Sequence, residues 1–108
     1  MPLTRSFNAT IRERAARDPA FRAALFSEAV QALLADDIDT AKAALRAYIN
    51  ATIGFAVLAK ATRTPAKSLM RMFGPSGNPT AANLFNVIGA LQDKTGVHLE
   101  VRVTASAA

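Results

Sequence analysis

A chain of 108 residues, 51% of them apolar, has the size of one domain and can bury a modest core. It has no cysteine, which excludes disulfides and thiolate metal sites and suits a reducing cytoplasm, and it has no apolar run long enough to span a bilayer. The formal net charge of +5 is unevenly placed: between Asp39 and Asp93 there is no acid, yet Lys42, Arg46, Lys60, Arg63, Lys67 and Arg71 all fall there. A field of one sign attracts phosphate and otherwise repels itself, so the middle of the chain points to a polyanion partner, nucleic acid first.

The N-terminus, "MPLTRSFNATIRERAARD", has the Arg, Ser and Thr of a transit peptide but contains Glu13 and lacks a cleavable apolar segment. It is expected to be an ordinary helix capped by Ser6, with Phe7, Ile11 and Ala15 at four-residue spacing. In "DPAFRAALFSEAVQALLADD", Asp18 is a suitable N-cap and Pro19 suits the first helical position, where its missing N–H costs nothing. Phe21, Leu25, Ala29 and Leu33 form the expected buried stripe of this second helix, widened by Phe26, Val30 and Leu34. The next helix is expected from Asp39, turns Ala41, Leu45, Tyr48 and Ile49 inward, and ends at Thr52–Gly54.

Three short helices then follow. Gly54 to Thr62 places Phe55, Leu58, Ala59 and Thr62 at i, i+3, i+4 and i+7. Pro65 to Phe73 is the second, and a third is capped by Asn78, begins at Pro79 and carries Leu84, Val87, Ile88 and Leu91 until Gly96. The segment "VHLEVRV" changes period: Val97, Leu99, Val101 and Val103 alternate with His98, Glu100 and Arg102, as in a strand over 97–103 with one buried face. A lone strand needs a partner. The candidates are "PLTRSF" near the N-terminus, the same strand of a second protomer, or the sheet of another protein.

The chemistry concentrates in "TRTPAKSLMRMFGPSGNP", residues 62–79. At 100° per residue Leu69, Met72 and Phe73 share one side of a short helix, while Lys67 and Arg71 lie on the other. The small Ala59 lets the preceding helix cross closely over a four-residue turn. A short, rigidly backed helix with cations outward is the specification of a helix-turn-helix unit that enters a major groove. Arg71 and Lys67 are suited to guanine O6 and N7, Ser68 to base edges or phosphate, and Thr64 to a phosphate oxygen. Ser76 and Asn78 lie in a turn from which a phosphate is within reach. With Lys60 and Arg63 these make the candidate DNA-binding set. The alternative is a small helical bundle whose surface is merely basic.

The stretch "GFAVLAKATRTPAKSLMRMFGPSGNPTAANLFNVIGALQ", residues 54–92, resembles the helix-turn-helix core of lambda-repressor-like (Cro/C1, XRE-type) proteins, and especially the addiction-module antidote proteins related to HigA antitoxins. The resemblance rests on "GF" before "LA", the "SLMR" helix and the "GNP" turn, and the upstream "DIDTAKAALRAYINATIGF" is similar to the helix that precedes this core. Ala59 matches the small residue of the first helix, Leu69 the buried position and Arg71 the outward recognition position. Arg63 departs from the pattern, standing where these turns usually carry Gly. Either the turn differs slightly or Arg63 adds a phosphate contact.

The resemblance implies an all-α, lambda-repressor-like domain over 1–108, with N-terminal helices in 1–53, a core in 54–92 and a C-terminal β-strand. It further implies a bacterial transcriptional regulator, cytoplasmic and associated with the nucleoid, that binds double-stranded DNA; because a single module offers little buried area, a homodimer is expected, through the strand or through the helix 19–35. The other function it implies is the antitoxin of a pair, acting mainly on a RelE/HigB-like toxin. No cofactor, metal site, catalytic residue or membrane partner is expected. Asp36, Asp37 and Asp39 suit capping and solvation, and His98 stands alone on a polar face.

Overall fold

A computed structural model describes residues 2–106 of the chain, with side chains from Ala9 onward. The described residues form six helices in chain order: α1 (Pro2–Arg17), α2 (Pro19–Leu34), α3 (Ile38–Ala51), α4 (Gly54–Thr62), α5 (Ala66–Met72) and α6 (Ala81–Thr95). The all-α class therefore holds. The backbone is already helical at Pro2, so Ser6 lies within α1 rather than at its start. The side chains of Ser6 and Phe7, for which a cap and an inward position were expected, lie outside the described residues.

Three helix starts show how side-chain acceptors set the boundaries. Asp18 caps α2 by accepting from the Phe21 N–H at 3.1 Å, with Pro19 at the first position as expected. The α3 cap is Asp37, not Asp39: its carboxylate accepts from the Thr40 N–H at 3.2 Å. Hydrogen bonds from the Thr40 side chain and backbone hold the Asp37 carboxyl below the usual carboxylate range. The α6 cap is Thr80, whose hydroxyl accepts from the Asn83 N–H at 3.1 Å, so Asn78 and Pro79 belong to the preceding loop. Gly96 ends α6 in the left-handed conformation.

One hydrophobic cluster runs through α2 to α6, with Phe26, Leu45, Tyr48, Ile49, Leu58, Leu69, Phe73, Val87 and Leu91 at its centre. The rings of Phe26 and Tyr48 stack at 4.4 Å, and the Tyr48 hydroxyl meets the Thr95 hydroxyl at 3.1 Å, tying α3 to the end of α6. The inward faces expected for α3 and α6 are the buried ones. On α2 the buried centre is Phe26, Ala29 and Ala32, rotated from the expected stripe, and Leu34 is 72% exposed.

The C-terminal segment differs from the expectation. No strand forms among the described residues, and 97–106 carries no regular structure. "PLTRSF" is part of α1 and offers no edge to pair with. Instead the Gln92 side-chain oxygen accepts the Leu99 N–H at 2.9 Å and the Thr95 hydroxyl accepts the Val97 N–H at 3.4 Å. Val97 and Leu99 pack half-buried against the core, while Val101 and Val103 are 76% and 93% exposed. The alternation thus describes the first half of the segment and leaves the second half uncovered.

Candidate nucleic-acid interface

The helices α4 and α5 pack against each other across the turn at residues 63–65. Leu58 and Thr62 of α4 and Leu69 of α5 are buried in the contact region, with Phe73 just beyond α5, and Ala59 and Met72 pack partly buried against the same cluster. The turn is closed by the Thr64 N–H donating to the Ala59 carbonyl at 3.1 Å. Arg63 stands in the left-handed region, φ 53° and ψ 39°, so the chain makes with arginine the conformation that glycine usually supplies. The Thr62 hydroxyl donates to the Leu58 carbonyl at 2.8 Å and the Thr64 hydroxyl to the Thr62 carbonyl at 3.2 Å. The Thr64 proton therefore serves the turn, and its oxygen remains as an acceptor.

Lys60, Arg63, Lys67, Ser68, Arg71, Ser76 and Asn78 are exposed, and Thr64 is half-buried. None of the ion pairs among the described residues involves Lys60, Arg63, Lys67 or Arg71. Ser68 and Arg71 of α5 meet Ser76 and Asn78 of the following loop around a shallow cavity of about 300 Å³, completed by Met72, Gly77, Pro79 and Asn83. The sequence-selected residues thus divide into two groups. Four line this cavity, while Lys60, Arg63, Thr64 and Lys67 lie along the outer side of α4, the turn and the start of α5.

Two residues of the site escaped the sequence analysis. Asn83 reaches the cavity from the first turn of α6, and nothing in its local pattern marks it. Lys42 is the larger omission. It is only 6% exposed, and its ammonium donates to the carbonyl oxygens of Gly74 at 3.1 Å and Gly77 at 2.8 Å. Asp39 lies 3.9 Å away but its side chain is 97% exposed, so that pair is weak and the carbonyls satisfy the buried charge. A signal was present: Lys42 stands three and seven residues before Leu45 and Ile49, at the edge of the buried face of α3.

Among the described residues no group of three His, Cys, Asp or Glu side chains is placed to hold a metal ion, and no helix is long and apolar enough to cross a membrane. Comparison with known proteins returns no matching family model, no matching curated protein and no matching solved structure. The helix-turn-helix resemblance is therefore carried by the chain's own residues alone.

Proposed function

We propose that the chain is a sequence-specific regulator of transcription that binds double-stranded DNA, with α4 and α5 as a helix-turn-helix and α5 in the major groove. The observation that carries this is the division of α5: Leu69 and the adjoining Phe73 are buried, while Lys67, Ser68 and Arg71 are exposed and the two cations join no ion pair among the described residues. A helix held in this way presents donors that no ion pair among the described residues engages. Arg71 and Lys67 then donate to guanine O6 and N7, and Ser68 reaches a base edge or phosphate. Lys60, Arg63, Thr64, Ser76 and Asn78 meet the backbone on either side, where contacts fix register rather than sequence.

One module of this size buries little surface, so a homodimer reading two half-sites about one helical turn apart is the assembly that gives useful affinity, through the C-terminal segment or α2. The corresponding place in the cell is the cytoplasm, at the nucleoid. The test is a duplex enriched by the chain from a random-sequence library, followed by anisotropy titration. Arg71→Ala is expected to lose about 1–3 kcal/mol and to relax base preference at one position. A folded Arg71→Ala protein that binds as wild type does would refute the assignment of α5.

A second function is favoured by one observation, the uncovered Val101 and Val103 on a segment that forms no ladder among the described residues. Such a segment is suited to joining the sheet of another protein, as an antitoxin covering a RelE/HigB-like toxin does. Co-purification with the product of an adjacent small basic gene is expected under that function. Recovery of homodimer alone from co-expression would count against it. DNA binding and toxin binding are compatible in one chain.

A further inference from the structure

Lys42 belongs to α3, outside the helix pair that carries the candidate DNA face, yet its ammonium bonds to a loop 32 and 35 residues further along the chain. The same loop is also tied to the end of α5 and closed on itself. The Gly74 N–H donates to the Arg71 carbonyl at 3.1 Å, and the Gly77 N–H donates to the Gly74 carbonyl at 3.1 Å. Gly77 lies so close to the end of α5 that a Cβ there would collide with the carbonyl oxygens of Arg71 and Met72. The next residues of the loop, with Ser76, form the cavity wall that faces Ser68 and Arg71.

We propose that Lys42 is a positioning residue for DNA recognition: from α3 it clamps the 74–78 loop onto the end of α5 and so fixes Ser76 and Asn78 opposite Arg71. The proposal rests on the DNA-binding function above and assigns Lys42 a part in it that is distinct from phosphate contact. At 6% exposure with two donors engaged, the ammonium is withdrawn from any duplex lying on α5. A buried cation held by carbonyls loses its purpose if the loop moves, and the carbonyls lose their donor if the cation is removed, so the clamp acts in both directions. Among the six basic residues between Asp39 and Asp93, Lys42 is therefore the one whose charge organises the face instead of meeting DNA.

The test compares full-length wild type, Lys42→Met, Lys60→Ala and Gly77→Ala on the library-enriched duplex, with circular dichroism for folding and amide exchange for the loop. Lys42→Met keeps the apolar stem and is expected to retain its helical spectrum while the Gly77 amide exchanges at least about tenfold faster and affinity falls about tenfold. The slope of log K against log salt should stay that of wild type, whereas Lys60→Ala should make it shallower by about 0.9. Unchanged Gly77 exchange, or unchanged affinity, in folded Lys42→Met would overturn the clamp. A slope made shallower in Lys42→Met would make Lys42 a phosphate contact instead. If Lys42→Met does not fold, Gly77→Ala displaces the loop from the α5 side with Lys42 intact, and lost affinity at constant slope is again expected. Unchanged affinity in folded Gly77→Ala would overturn the proposal. If wild type enriches no duplex, the DNA function and the positioning role both fall, while the exchange of Gly77 still reports whether Lys42 holds the loop.

Discussion

Arg63 and Asp36 are the non-glycine residues at positive φ among the described residues, 53° and 61°. Both follow a helix and both allow the next N–H to reach back over the last turn, Thr64 to Ala59 at 3.1 Å and Asp37 to Ala32 at 2.8 Å. A Cβ in this conformation costs energy that glycine avoids, offset in part by the extra freedom glycine has when unfolded. Arg63→Gly is therefore expected to raise stability by about 0.5–1 kcal/mol, and Asp36→Gly by less, since aspartate tolerates the conformation better. The two should part company in DNA binding. Asp36→Gly removes an acid at the end of α2 and should leave the salt slope unchanged, while Arg63→Gly should weaken binding and make the slope shallower by about 0.9. Thermal melts and anisotropy at several salt concentrations measure both. An Arg63→Gly protein that is more stable and binds equally well would confine Arg63 to shaping the turn.

A helix as short as α5 does not stand by its own hydrogen bonds, because nucleation is costly and there are too few residues to repay it. What holds it is burial. Leu69 is 1% exposed and Phe73 2%, whereas Met70, on the other side, is 52% exposed. Leu69→Ala should cost about 2–5 kcal/mol in urea unfolding, and Met70→Ala no more than about 0.5 kcal/mol. Equal losses would mean that α5 is not anchored as described. The anchored face was legible in the sequence because residues three and four apart share a side of any helix. Helix starts were legible only where one acceptor was available. "RDPA" offered Asp18 alone, but "DDID" offered three aspartates and "GNPT" both Asn78 and Thr80, and the choice among them depends on where the helix axis must point to reach the core. The strand expected at 97–103 failed for a related reason. Alternation told which side of Val97 and Leu99 faces inward, but pairing requires a neighbouring edge, and α1 supplies a helix where one was sought. Lys42 was only half legible: its spacing placed it at the edge of the buried face of α3, but a cation is normally solvated, and the carbonyls that bury it come from a loop 32 and 35 residues further along the chain, which the local pattern does not show.

At the scale of the molecule the excess positive charge is partitioned. Lys42 is internal, while Arg46 on α3 and Lys60, Arg63, Lys67 and Arg71 around α4 and α5 stand exposed outside the ion pairs of the described residues. The acids that form ion pairs, Glu13, Asp18 and Asp39, all belong to the N-terminal helices and their caps. Under the proposed function, a duplex approaching α5 would meet cations first, and the field would orient the protein before any base is read. If Lys60, Arg63, Lys67 and Arg71 each release one condensed counterion, at a base edge or at a phosphate, log K should fall with log salt at a slope of about −3.6 per protomer, a loss of about a hundredfold between 50 and 200 mM salt. A dimer engaging both half-sites should double the slope to about −7. Counting all six mid-chain cations would give about −5.4 per protomer, so the slope also tests whether Lys42 and Arg46 stay away from the duplex. Anisotropy titrations of wild type across that salt range decide among these values. A slope near zero would separate the exposed cations from nucleic acid altogether and leave the uncovered C-terminal segment as the stronger indication of a partner.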